Sequence, residues 1–191
     1  MKPTLSLTPD HRKELNEYFE DTIASLEKYF AIEDSAAGDD LKQAQAVADT
    51  LTDTVHSSDT DCSYYPCVLT GPNPLDDSFF AALGITRAQR ASVSGWDNPK
   101  LEVVAAGKGD NHRPALALIT RLNDDELEEI SEYLGDEEQK ALNAAITKLE
   151  TIGPVVGVQL CTDDGASKVV LTLARRPSGT HVGVLTIRIE T

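Results

Sequence analysis

Residues 155–190, VVGVQLCTDDGASKVVLTLARRPSGTHVGVLTIRIE, decide the fold class. Three apolar runs, VVGVQLCT (155–162), KVVLTLARR (168–176) and HVGVLTIRIE (181–190), are separated by DDGAS and PSGT. Glycine beside Asp or Ser supplies the backbone angles and local hydrogen bonds of tight hairpin turns, so the runs are expected to form an antiparallel meander. From Val182 to Glu190 apolar and polar residues nearly alternate, the pattern of a half-buried strand. The sequence stops one residue later, at Thr191, which sets the terminal carboxylate at the very end of a strand. Most domains carry a few loosely held polar residues there.

Helical patterns precede the meander. Asp136 to Ile152 is stopped by Gly153-Pro154, and Asp124 to Leu134 by Gly135. Both open with carboxylates, which favour the positive end of the helix dipole. LEVVAAG (101–107) and PALALITRL (114–122) are expected as strands joined by KGDNHR. ITRAQRASVSGWDNPK (85–100) reads as strand-like pieces and loop. LDDSFFAALG (75–84) is expected as a short helix ending at Gly84. Cys67 to Thr70 is a strand candidate closed by Gly71-Pro72-Asn73-Pro74.

At the N-terminus, Thr8 caps a helix with Pro9 at its first position. Leu15, Tyr18, Phe19, Ile23, Leu26, Tyr29 and Phe30 then share one helical face, which predicts one helix through Phe30. AIEDSAAGDD (31–40) reads as a loop, and a second helix runs from Leu41 to His56, capped by Asp39 or Asp40. Its apolar side holds Leu41, Ala44, Val47, Ala48, Leu51 and Val55. The expectation is α+β, with residues 1–56 as a helical hairpin extension and 57–191 as an α/β unit.

The 191 residues, 40% hydrophobic, suffice for one good core. With 32 acidic against 17 basic residues the net charge is -15, which argues against binding nucleic acid or an anionic membrane and favours a basic partner. The charge is clustered: NDDELEEISEYLGDEEQ (123–139) holds nine acids and no base. Clustering with nine lysines retained speaks against an even halophilic coat. Three cysteines in no repeated C-x-x-C pairing indicate neither a disulfide framework nor a zinc site, and a cytoplasmic location is expected. The N-terminus lacks the uninterrupted apolar core of a signal peptide, and no apolar run spans a bilayer.

Catalytic constellations are not evident. His11, His56, His112 and His181 are scattered, without metal-binding spacing, and are expected to be solvent-facing or hydrogen-bonded structural residues. GKGD (107–110) lacks phosphate-loop spacing. Cys62 and Cys67 flank SYYP, but Asp59 and Asp61 disfavour a reactive thiolate. The paired carboxylates at 124–129 cap and solubilise a helix. Trp96, the single tryptophan, lies in a polar turn and is either a core residue or a binding anchor. The profile is that of a binding protein, not an enzyme, with no cofactor and no metal of its own.

DCSYYPCVLTG (61–71), followed by GVQLCTDDGASKVVLTLARRPSGTHVGVLTIRIET (157–191), resembles the nuclease A inhibitor family. In that family a serine- and acid-rich segment leads into Tyr-Pro and a strand, and the chain closes with a helix, a meander and a strand ending in Glu-Thr. Tyr65-Pro66, the helix 136–152 and Glu190-Thr191 occur here in that order, so the resemblance covers roughly residues 51–191.

The resemblance implies an α/β/α sandwich that inhibits a metal-dependent, sugar-non-specific DNA/RNA endonuclease. The C-terminal Thr of the family helps engage the nuclease's catalytic magnesium, and Thr191 matches it in position and type. An acidic residue shortly before Tyr-Pro also contributes in the family. Here Cys62, Ser63 and Tyr64 precede Tyr65, which leaves Asp59 and Asp61 as displaced candidates. The expected partner-binding set is thus Thr191, Glu190, Asp59, Asp61, Tyr65 and Trp96. The competing expectation is an acidic DNA mimic or immunity-type protein against another basic target, using the N-terminal helix and residues 124–138.

Overall fold

The computed structural model describes residues 1–34, 38–54, 62–86, 100–107, 113–120, 122–163 and 165–189. Seven strands form one sheet in the order β2-β1-β3-β7-β6-β5-β4. The strands are β1 (Thr4–Leu7), β2 (Ala31–Asp34), β3 (Tyr65–Thr70), β4 (Leu101–Gly107), β5 (Val155–Cys161), β6 (Ser167–Arg175) and β7 (His181–Ile189). β5, β6 and β7 make the expected antiparallel meander, and every other neighbouring pair is antiparallel except β1 with β2.

Alternation along the central strands sends apolar side chains to both faces, so each face requires a helical layer. Leu171, Leu173, Leu185 and Ile187 point to the first face. Helices α1 (Pro9–Tyr18) and α2 (Glu20–Tyr29) cover it with Leu15, Ile23 and Leu26, and Phe79 adds to the same core. On the second face Val155, Ala174, Val182 and Val184 meet α3 (Asp39–Ala48) and residues of two later helices. In chain order the remaining helices are α4 (Asp77–Ala82), α5 (Arg113–Thr120), α6 (Asp124–Glu128), α7 (Ile130–Tyr133) and α8 (Asp136–Ile152). α4 therefore joins the first layer, and α5 and α8 the second, giving an α+β fold with its sheet between two helical layers.

The described part of residues 1–56 is not helical alone. β1 and β2 extend the sheet at one edge, and Leu5, Leu7 and Phe30 lie in the same core as Leu185 and Ile187. Each of these strands has only four residues, and their ladder partners are distant in sequence. Ala31–Asp34 consequently left no periodic pattern and read as loop.

The single helix expected through Phe30 is broken at Phe19, where φ -138° and ψ 42° leave the helical region. Leu15, Ile23, Leu26 and Phe30 are buried as the stripe requires, whereas Tyr18 is 69% exposed. The helix expected over 124–134 is likewise two pieces, broken at Glu129, although Asn123 and Glu126 form a reciprocal capping box at its start. α3 starts after Gly38, without a side-chain cap from Asp39 or Asp40, and passes into a 3-10 turn at Asp49–Leu51.

PALALITRL, read as a strand, is mostly helix α5. Ala115, Leu118 and Ile119 are buried at helical spacing, and Leu118 packs over Gly157 of β5. A Cβ on Gly157 would come within 2.6 Å of the Leu118 side chain, so α5 rests directly on the backbone of the sheet. Short runs rich in Ala and Leu suit either state, and this tertiary seat decides it.

Candidate partner-binding end of the sheet

Register defines a common end for the central strands. Tyr65 pairs with Leu185, Ser167 with Ile189, Cys161 with Lys168 and Leu101 with Leu160. β3, β4 and β6 start at this end, while β5 and β7 finish there. The chain also turns here between helices. α8 leads into β5, whose Val155 lies at the far end opposite Ala174, so the acidic first turn of α8 stands at the near end. α3 starts by the far end, where Arg176 and Asp40 form an ion pair, and delivers Asp49 and Asp53 to the near end.

The result is an open, polar groove of about 690 Å³, lined by Asp49, Thr52, Asp53, Glu137, Glu138 and Lys140. Lys140 pairs with Glu137 at 2.5 Å, so the groove stays strongly acidic. α6 and α7, which lie between α5 and α8 in the chain, carry Asp124, Asp125, Glu128, Glu129 and Glu132. Their carboxylates are exposed, which favours contact with solvent or a basic surface over proton transfer in a closed site.

Two tyrosines pin this end together. The Tyr64 hydroxyl donates to the Ile119 carbonyl at 3.3 Å, joining β3 to α5. Burial, reinforced by nearby Glu138, pushes its ionisation well above the ordinary range. Tyr65 is only 4% exposed and its hydroxyl donates to Glu14 Oε1 at 2.9 Å, joining β3 to α1. Burial and that bond likewise raise its pKa. His11 stands edge-on to the same ring at 5.4 Å, with its Nδ1 2.7 Å from the Thr8 hydroxyl. Tyr65, expected to meet the partner, is buried in this chain and ties sheet to helix.

No protein-family model matches the chain, and no curated protein matches it.

Thr191, Glu190, Asp59, Asp61 and Trp96 lie outside the described residues, as do His56 and His112. Their described anchors are close together. Cys62, immediately after Asp61, accepts a hydrogen bond at Sγ from the Ile187 amide at 3.4 Å, and its carbonyl oxygen accepts one from Thr186 Oγ1 at 3.5 Å. Burial raises the Cys62 thiol, and Cys67 is raised by burial alone. Both thiols, like Cys161, are buried and outside any disulfide, and Cys62 also serves backbone hydrogen bonding.

Three features here had no signal in the sequence. His181, expected to be solvent-facing or hydrogen-bonded, is 1% exposed, and neither ring nitrogen has a hydrogen-bond partner among the described residues. Burial and the neighbouring Arg175 lower its pKa to about 4, so the imidazole is neutral. Lys168 and Arg188 are register partners on β6 and β7, and Lys168 is buried. Asp163, in the β5–β6 turn, accepts from Lys100 at 2.8 Å and from Lys28, while the Lys100 ammonium lies 5.0 Å from the Tyr29 ring centroid. Those two lysines hold the Asp163 carboxyl far below the usual range.

Among the described residues no group of three or more His, Cys, Asp or Glu side chains is arranged to hold a metal ion. None of their helices is long and apolar enough to cross a membrane.

Proposed function

We propose that the chain is a protein inhibitor of a metal-dependent, sugar-non-specific nuclease, presenting its acidic end to the basic groove of the enzyme. The observation that carries this is topological. The turn after α3, the first turn of α8, the start of β3 and the finish of β7 all meet at one end of the sheet. Cys62, which follows Asp61 in the chain, and Ile189, which precedes Glu190-Thr191, lie at that same end.

A nuclease groove is positively charged because it tracks phosphates, and clustered carboxylates replace the charge of the substrate while steering association. Magnesium prefers oxygen ligands and keeps exchangeable positions. On this proposal the hydroxyl and carboxylate of Thr191 approach the partner's metal, with Glu190, Asp59 and Asp61 beside it and Trp96 as an anchor. Tyr65 acts from beneath by holding α1 against β3.

The second reading, an acidic mimic of DNA aimed at another basic protein, draws on the same described carboxylates and assigns no role to the terminus. One experiment separates them. Untagged protein is titrated against a magnesium-dependent endonuclease of this class, using DNA and RNA substrates, alongside ΔThr191 and the double reversal Glu137→Lys, Glu138→Lys. The inhibitor reading expects stoichiometric loss of cleavage, weakened by ΔThr191 and slowed in association by the reversal. Absence of inhibition by the intact chain would sink it. A captured basic partner whose binding ignores ΔThr191 but fails on charge reversal would establish the mimic instead.

A further inference from the structure

Hydrogen-bond acceptors dominate the wall of the acidic groove. Three threonines from the turn after α3 line it, and they use their hydroxyls differently. Thr50 donates to the Val47 carbonyl at 2.6 Å and Thr52 to the Asp49 carbonyl at 3.0 Å, so both oxygens are left as acceptors only. Thr54 is 6% exposed, and its amide is bonded to the Leu51 carbonyl at 3.0 Å. Its hydroxyl has no hydrogen-bond partner among the described residues. A polar group so nearly buried is costly to leave unpaired, and this one borders the groove. Beside it stand Asp49, Asp53, Glu137 and Glu138, against one cation, Lys140, already paired with Glu137.

We infer that this groove receives the guanidinium of an arginine on the partner, given the proposal above that a basic protein meets this end. The lining selects the ligand. Among the described residues no three carboxylates are arranged to hold one metal ion, so their charge suits a larger cation. An arginine side chain spreads five N–H donors over a plane and has no acceptor, whereas an ammonium gathers three on one nitrogen. Acceptors dispersed along a groove match the spread set. In the complex the guanidinium donates to Thr54 Oγ1 and to the carboxylates beside it, and charge assistance strengthens each bond. The volume of about 690 Å³ leaves room for the residues that flank the arginine. Because the groove is open, its ion pairs are screened by solvent, and one arginine binds weakly except as part of a larger interface.

NMR of the isotope-labelled full chain, titrated with N-acetylarginine amide, tests the site with no nuclease present. Saturable shifts centred on the Thr54 and Asp53 amides are expected at millimolar concentration. N-acetyllysine amide should bind at least about threefold more weakly, because its donors are gathered on one nitrogen. Thr54→Val keeps the shape of the side chain and removes the acceptor. It should fold as the wild type does and bind the arginine probe at least about threefold more weakly. If that variant fails to fold, Asp53→Asn decides by the same measure. Shifts that never saturate, equal affinity for the lysine probe, or undiminished binding by the folded variant overturn the inference. Saturable binding of magnesium at the same amides overturns it too, by making the groove a metal site. Arginine binding by a chain that inhibits no nuclease leaves the site standing and sinks only the nuclease reading.

Discussion

The Sγ atom of Cys62 lies 3.4 Å from the amide nitrogen of Ile187, and this bond ties the chain three residues before β3 to the end of β7. One contact thus joins residues next in the chain to Asp61 and close to Glu190-Thr191, which are proposed to meet the partner. Deleting Thr191 leaves that contact in place. Inhibition is expected to fall by at least about tenfold, ~1.4 kcal/mol, with an unchanged midpoint in urea. A midpoint that drops in parallel would make the effect structural.

Cys62→Ala removes the acceptor and leaves the Ile187 amide buried without it. The expected cost is about 1–3 kcal/mol in denaturant unfolding. A thiol reductant should have no effect on the wild type, since none of the three cysteines is in a disulfide.

Tyr65→Phe deletes a hydroxyl bonded to a carboxylate but keeps the buried ring. A loss of about 1 kcal/mol is expected, because Glu14 can turn to solvent once the bond is gone. Inhibition by the folded variant should equal that of wild type, whereas a selective loss of affinity would return Tyr65 to the contact surface.

His181 gives stability a specific pH dependence. Its folded-state pKa of about 4 lies below the ordinary value of 6.5, so between these limits the unfolded chain binds the extra proton. Stability is unpenalised above about pH 6.5 and falls as pH drops towards 4, by roughly 3 kcal/mol in all. In His181→Leu that component of the slope should vanish. The substitution should also be neutral or stabilising at pH 7, since it removes two buried nitrogens that have no hydrogen-bond partner among the described residues. Matching slopes in urea titrations of both proteins from pH 4 to 7 would refute this.

Gly183 lies in β7, where an added Cβ would stand 2.0 Å from the Thr172 carbonyl oxygen of β6. The obstacle is backbone in the middle of a ladder and cannot swing aside. Gly183→Ala should cost about 3 kcal/mol or more, read as a lowered urea midpoint, while Gly165→Ala, with open space around its Cβ, pays only for its positive φ.

Local signals carried much of the fold. The Gly-containing turns and alternation of 155–190 specify the meander, and Gly84 and Gly153 mark helix ends near where they occur. β1, β2 and α5 were hidden because their partners are remote: Ala31–Asp34 is a strand through its ladder with Thr4–Leu7, and α5 is a helix seated over Gly157. The site was legible as charge but not as geometry. Acid-rich 123–139 stands out in the sequence, whereas its meeting with Asp49 and Asp53 depends on the direction in which α3 and α8 cross the sheet.

By itself the sequence determined the class of fold, the three hairpin-linked strands, the excess of acid and the lack of catalytic spacing, because turn chemistry, periodicity and composition are local properties. Only the tertiary structure decided that Thr4–Leu7 and Ala31–Asp34 join the sheet and that Tyr65 and His181 are interior. Those facts follow from contacts between segments far apart in the chain, where burial and strand order are set by the whole core.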